Sequence, residues 1–419
     1  MIHKAVLDNG LTILSERMPN LRSISLGIWL KKGSRHEEER ENGISHFIEH
    51  LVFKGTRRRT AQEIAKVIDS IGGQIDAFTS KEYTCFYAKV LDEHLRVALD
   101  LLSDIVLNPR FDLQDIEKER KVIFEEIRMV EDTPDELVYD LFSETFWRGH
   151  PLGRPIQGTI DSVGALTPKH LLDYFRSSYT PGQILIAAAG NLDHEEAVRE
   201  VRSAFEPLTD GVRPAATRPP RECAELALRD KDGLEQVHLC LGVPAFPHSS
   251  EDRYVGYVLN TLLGGTMSSR LFQTIREERG LAYTVFSSVS SFVDSGYLMV
   301  YAATGADQAR QVIDLVSQEF RRLKSQAVAA QELRDAKDHL KGSLMLSLES
   351  TSSRMSNLAK QDIYFGRQFS LEELLAGIEG VTTEQVQDLA QRLFDAGRCT
   401  LAALGRLSGL RIERQDLAF

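Results

Sequence analysis

The stretch LTPKHLLDYF…ILIAAAG, from Leu166 to Gly190, returns later in the chain as VTTEQVQDLA…CTLAALG, from Val381 to Gly405. Thr167 and Thr382 are separated by 215 residues, as are Gly190 and Gly405. YAKVLDEHLRVALDLLSDIV, from Tyr87, is echoed by YAATGADQARQVIDLVSQEF, from Tyr301, at a separation of 214. Two widely spaced matches at nearly one offset predict a duplicated domain. Between the copies stand Pro207, Pro214, Pro219 and Pro220 with Asp210 and Gly211, a composition that continues neither a helix nor a central strand. The expectation is an N-terminal domain over 1–206, a linker over 207–221 and a homologous C-terminal domain over 222–419.

Each half mixes strands with helices. SISLGIWL, from Ser23 to Leu30, alternates apolar residues with small or polar ones, the pattern of a half-buried strand. Thr60-Ala61-Gln62-Glu63 reads as a capping box for a helix whose Ile64, Val67, Ile68 and Ile71 share one face and whose terminator is Gly72. Asp92 is expected to cap the next helix, with Leu95, Leu99 and Leu102 at helical spacing and Asn108-Pro109 as its stop. Strands fall in consecutive groups with helices between, so the predicted fold class is α+β: two homologous domains of mainly antiparallel sheet packed with helices.

The 419 residues suit two domains of about 200 residues each, and 42% hydrophobic with 26% charged residues is an ordinary globular balance. A formal charge of −11 opposes a nucleic-acid or anionic-membrane partner, because a polyphosphate would be repelled. No apolar run reaches the roughly 18 residues of a membrane span. The first residues, MIHKAVL, lack a secretory apolar core, so the expected location is cytoplasmic. Cys85, Cys223, Cys240 and Cys399 form no CxxC pair and are read as reduced, mostly buried thiols.

The chemistry concentrates in ISHFIEHL, Ile44 to Leu51. At about 100° per residue, a helix places His50 roughly 40° from His46 and Glu49 roughly 60° to the other side. Two imidazoles on one narrow face grip a metal ion, and a carboxylate beside them suits a general base. The spacing is the inverted HxxEH form of the zinc motif. On its own it fits two part-buried histidines bonded to backbone better than a metal site, so a third ligand is required. EKERKVIFEEIRMVEDTPDEL, from Glu117, offers Glu119 and Glu126, nearly two turns and about 10 Å apart, so one should bind and the other support. Glu117, Glu125 and Glu131 read as a solvated face.

HFIEHLVFKGT followed by ERKVIFEE resembles the pitrilysin family of zinc peptidases, in the branch similar to mitochondrial processing peptidase. That family's pattern is HxxEH, a ligand glutamate about 76 residues after the second histidine, and another glutamate seven residues before that ligand. The resemblance implies His46, His50 and Glu126 as zinc ligands, Glu49 as general base, and Glu119 as a residue supporting catalysis near the metal. It runs over nearly the whole chain. GGQIDAFTSKEYTCFYAKV, from Gly72, is similar to the strand along which the family's extended substrates add, with Asp76 where that strand usually carries asparagine. HPLGRPIQGT, from His150, resembles a family loop in which this histidine is not a ligand.

The second repeat has no HxxEH, so one zinc per chain is expected. It carries SSRLFQTIREERGLAYTVFSS, in which Arg276 and Tyr283 look like the family's Arg/Tyr pair, placed to bind a tetrahedral oxyanion or the substrate backbone. By the same resemblance, two chains form a homodimeric chamber in which Arg276 and Tyr283 act on the partner's zinc. The implied activity is a zinc endopeptidase on short unfolded or presequence-like peptides. The competing expectation is a non-catalytic assembly subunit of the same fold. A nucleotide site at Gly264-Gly265-Thr266 lacks the Gly-Lys-Ser/Thr ending of a P-loop.

Overall fold

A computed structural model describes residues 2–206, 208, 218–407 and 409–419; most of the expected linker over 207–221 lies outside the described residues. The chain forms two compact units, and they are not the two halves of the sequence. The first comprises Met1–Arg128, Arg154–Arg218 and Leu346–Gln368; the second comprises Met129–Gly153, Pro219–Met345 and Phe369–Phe419.

The first unit holds strands β1 (Ile2–Val6), β2 (Thr12–Arg17), β3 (Ser23–Leu30), β4 (Gln74–Thr79), β5 (Thr84–Leu91) and β6 (Ile184–Gly190) in the order β1-β2-β6-β3-β5-β4. Only β2 and β6 run parallel among its pairs. The second unit holds β7 (Leu226–Asp230), β8 (Val237–Pro244), β9 (Ala282–Ser291), β10 (Gly296–Thr304) and β11 (Thr400–Gly405) in the order β7-β11-β8-β10-β9. Here β7 and β11 run parallel and the other pairs antiparallel. The second sheet therefore repeats the first from β2 onward, strand for strand and direction for direction.

The repeat extends to single residues. Thr167 and Thr382 each cap a helix through a capping box. Tyr87 and Tyr301 lie on the equivalent strands β5 and β10. Gly190 and Gly405 close β6 and β11 at φ of 141° and 145°, a region open to glycine but not to most side chains. A Cβ on Gly190 would meet the Ser23 carbonyl at 2.2 Å, and one on Gly405 the Gln236 carbonyl at 2.6 Å.

The helices of the first repeat that matter for the site are α1 (Ile44–Val52), α2 (Ala61–Ser70), α3 (Leu95–Leu107), α4 (Leu113–Glu131) and α5 (Pro134–Phe146). The Thr60 capping box starts α2 as expected, and Gly72 follows it at positive φ. Asp92 does not cap α3: it opens a short 3-10 turn, and its carboxylate instead accepts from Arg22 and Asn191, tying two loops together.

β3 is buried along nearly its whole length and not half-buried. Ile24, Leu26, Ile28 and Leu30 face one core with α1 and α3. The alternate face, with Ser25, Gly27 and Trp29, is covered by the helix Thr351–Phe365 from far along the chain. Ser25 hydrogen-bonds Thr351 at 2.8 Å, and the Trp29 indole N–H donates to the Met355 sulfur at 3.2 Å. Its partner in the repeat does the same in the second unit, where α5 packs on β7, β8 and β11 through Leu137, Val138, Phe142 and Phe146. Gly27 and Gly242 are the points of closest approach: an added Cβ would lie 2.6 Å from Met355 Sδ and 2.2 Å from Phe142 Cζ respectively. Each repeat thus contributes one helix to the other repeat's sheet, and small residues on β3 and β8 mark where it lands. Among the described residues no helix is long and apolar enough to cross a membrane.

Candidate metal centre

The site is built on α1. Its apolar side, Ile44, Phe47, Ile48 and Leu51, is buried in the core of the first unit, which leaves His46, Glu49 and His50 on the opposite, half-buried side. The helix begins at Gly43, φ 94°, where a Cβ would meet the Gln157 carbonyl at 2.6 Å. Two N–H groups at its start are taken up by Glu37, whose buried carboxylate accepts from Gly43 at 2.8 Å and Ser45 at 2.9 Å. Burial raises the pKa of that carboxyl, opposed by the same N–H donors. An anion at the positive end of the helix also stabilises it through the backbone dipole.

α4 supplies the second side. Ile116, Ile123 and Ile127 are buried, and Glu119 and Glu126 project from the helix at the same seven-residue interval as Ile116 and Ile123. Glu117, Glu125 and Glu131 are exposed, as expected of a solvated face. Glu126 Oε2 lies 3.7 Å from His46 Nε2 and 3.5 Å from His50 Nε2. The three ligand atoms fall within 4.8 Å of one another, the one group of this kind among the described residues. Atoms bound at 2.0–2.1 Å to a tetrahedral ion lie about 3.3 Å apart, so this spacing suits zinc with little movement.

The hydrogen bonds favour the same reading. His50 Nδ1 lies 3.2 Å from Glu119 Oε2, and Glu119 Oε1 pairs with Lys54 at 2.9 Å. With a proton held on Nδ1 by Glu119, His50 turns Nε2 toward Glu126. His46 Nδ1 is buried with no hydrogen-bond partner among the described residues. Burial, and then the neighbouring His50, push the His46 imidazole down to about 4, so it is neutral near pH 7. Imidazole nitrogens facing a carboxylate oxygen bring lone pairs together, and a cation is what such a donor set accommodates.

Glu49 is not a member of the three-atom group. Its Oε2 accepts from the Thr79 hydroxyl at the end of β4. Burial pushes its carboxyl up, with the Thr79 hydroxyl offsetting part of the effect. β4 is an edge strand, and among the described residues no strand pairs with its outer side. Asp76 is exposed on β4, with Tyr87 donating to it at 3.4 Å. His150 accepts from the Leu152 N–H in a turn, a structural contact.

Arg276 and Tyr283 come together in the second unit. Arg276 lies on a π-helical turn, Phe272–Glu277, with its guanidinium 4.7 Å from the Phe272 ring centroid and 4.6 Å from that of Tyr283. Tyr283, 75% exposed, stands near the start of β9, the edge strand equivalent to β4. Gly264 is explained by packing: an added Cβ would lie 2.5 Å from the Ser287 backbone nitrogen. Glu37, Lys54 and Thr79 are not evident from sequence: Lys54 and Thr79 act through contacts with separate segments, and Glu37 reaches the start of α1 from a preceding loop at no characteristic spacing.

Residues 12–160 match the family described as Insulinase (Peptidase family M16), and residues 165–340 match its companion, Peptidase M16 inactive domain. The protein named "Uncharacterized zinc protease YmxG" of Bacillus subtilis is 43% identical over 94% of this chain and 96% of its own length. The chain belongs to peptidase family M16. A second relative, named as a zinc protease in Streptomyces coelicolor, is 40% identical over 99% of this chain and 91% of its own. Among solved structures, a protease from Helicobacter pylori superposes with a TM-score of 0.90 at 23% identity, covering 97% of this chain and 99% of that one. A chain of Complex III2 from Candida albicans superposes at 0.87 and 21% identity, over 100% of both. These two likenesses concern the fold alone, and the duplicated sheets described above are what they share in outline with this chain.

Proposed function

We propose that this M16 chain is a zinc-dependent endopeptidase that hydrolyses short unfolded or presequence-like peptides. The observation that carries the reading is the convergence of His46, His50 and Glu126, with Glu49 beside them on the same helix. The names of the relatives, zinc proteases matched over nearly the full chain, support it.

A zinc ion held by His46 Nε2, His50 Nε2 and a Glu126 oxygen, one per chain, would supply Lewis acidity to the hydrolysis. Glu49 takes the proton of the attacking water and returns it to the leaving amine. Glu119 holds the His50 tautomer, and Lys54 balances the charge of Glu119. The open edge of β4 suits an extended peptide that adds as a further strand, which favours unfolded substrates. Asp76 on that strand favours basic side chains.

Arg276 and Tyr283 bind the oxyanion or the substrate backbone, and in this reading they act from a second copy of the chain in a homodimeric chamber. A cytoplasmic location belongs to the same reading, supported by four free cysteines. The non-catalytic alternative leaves the complete ligand set and the neighbouring base without a purpose.

A quenched-fluorescence peptide of extended, basic sequence tests the activity. Cleavage should stop on chelation and return with zinc; cleavage indifferent to chelator, or none by zinc-loaded protein, contradicts it. Mixing inactive Glu49→Gln and Tyr283→Phe chains tests the assembly. With exchange confirmed, random pairing should restore activity, up to about a quarter of wild type, because each mixed dimer regains one intact site. No recovery overturns the action in trans.

A further inference from the structure

We infer that Thr79 is a positioning residue for Glu49, fixing the base to the strand edge on which substrate adds; this rests on the peptidase reading above. Its hydroxyl donates to Glu49 Oε2 at 2.5 Å, engaging one carboxylate oxygen and leaving the other for proton transfer. A glutamate side chain has three rotatable bonds, and a base must be held near its productive geometry to be effective.

Thr79 is itself unusually well anchored. It is the last residue of β4, paired with Thr84 on β5. The turn that follows is closed by Ser80 N–H donating to the Tyr83 carbonyl at 2.8 Å. That turn is clamped from a second segment: Ser34 N–H donates to the Ser80 carbonyl at 3.1 Å and Arg35 N–H to the Lys81 carbonyl at 2.7 Å. Arg35 and Glu82, both buried, form an ion pair at 2.7 Å across the same contact. Gly33 is needed there, since a Cβ would lie 2.3 Å from the Ser80 carbonyl. A β-branched side chain on so fixed a backbone has little rotamer freedom, so the hydroxyl is held in place for Glu49. The same strand that offers its open edge to a peptide therefore also orients the base, and the two share one rigid reference.

The test compares zinc-loaded wild type, Thr79→Val and Thr79→Ser on the quenched peptide, with zinc content and melting temperature measured in parallel. Valine keeps the shape and removes the donor, so kcat should fall about 10- to 100-fold with KM within about twofold, and serine, which keeps the donor without the β-branch, should recover most of the lost kcat. Zinc content and melting temperature should match wild type in both variants. Wild-type kcat in Thr79→Val overturns the assignment, as does a loss that tracks lost zinc or lower stability or that serine does not repair. Crystals of zinc-loaded Thr79→Val give a second readout that does not depend on turnover. The Glu49 carboxylate should leave its wild-type orientation, and an unchanged orientation refutes the inference. Failure of the wild type to cleave any peptide would instead count against the proposed function.

Discussion

Glu49→Gln should cut peptide hydrolysis by two to four orders of magnitude, about 10²–10⁴, while leaving the metal in place. Glutamine matches the shape of the side chain and can still accept from Thr79, but its amide has no basicity with which to take a proton from water. General-base assistance is worth about 10²–10⁴ in rate, so kcat should fall by that factor with KM nearly unchanged. Because Glu49 stands outside the three-atom group, zinc bound per chain should equal that of wild type. Equal turnover in the variant and the wild type would remove Glu49 from the chemistry and with it the peptidase mechanism.

Glu126→Ala should have the opposite signature, losing the metal first. Without that carboxylate the remaining ligands are two imidazoles from one helix, with no anionic donor. Substitution of a supporting partner such as Glu119 typically costs 10- to 100-fold in metal affinity or activity. Removing Glu126 should cost more, by at least about 100-fold in zinc affinity measured by competition with a chromophoric chelator. Glu119→Gln should fall between this variant and wild type, since the amide oxygen can still accept from His50 Nδ1. Wild-type affinity in Glu126→Ala would mean that the third ligand lies elsewhere.

Much of this site was legible in the sequence because its geometry is local. Residues three and four apart on α1 must share a face, and residues seven apart on α4 must do so as well. Which helix of one segment meets which helix of another is not a local property, and there the family resemblance supplied the pairing of Glu126 with His46 and His50. The fold class was legible for a related reason: a repeated offset requires a repeated structure, and the two sheets show matching strand order. The exchange of α5 and Thr351–Phe365 between the repeats was not legible. Their apolar faces say that they pack on a sheet, but both sheets offer the same kind of surface, with glycine at positions 27 and 242. For the same reason β3 read as half-buried, since Ser25 and Gly27 look like solvent-facing residues until a helix with matching hydroxyls covers them. Asp92 failed as a cap because its carboxylate found stronger partners in Arg22 and Asn191. Thr79 lies inside a stretch that reads as a strand, where nothing in the alternation distinguishes a hydroxyl aimed at Glu49 from an ordinary strand threonine.

The most direct measurement is anomalous diffraction at the zinc edge from crystals of the wild-type protein grown with zinc. A strong peak is expected about 2.0–2.2 Å from His46 Nε2, His50 Nε2 and a Glu126 oxygen, with Glu119 on His50 Nδ1. No peak at that position, with Glu126 turned away from both histidines, would contradict the assignment of this metal centre.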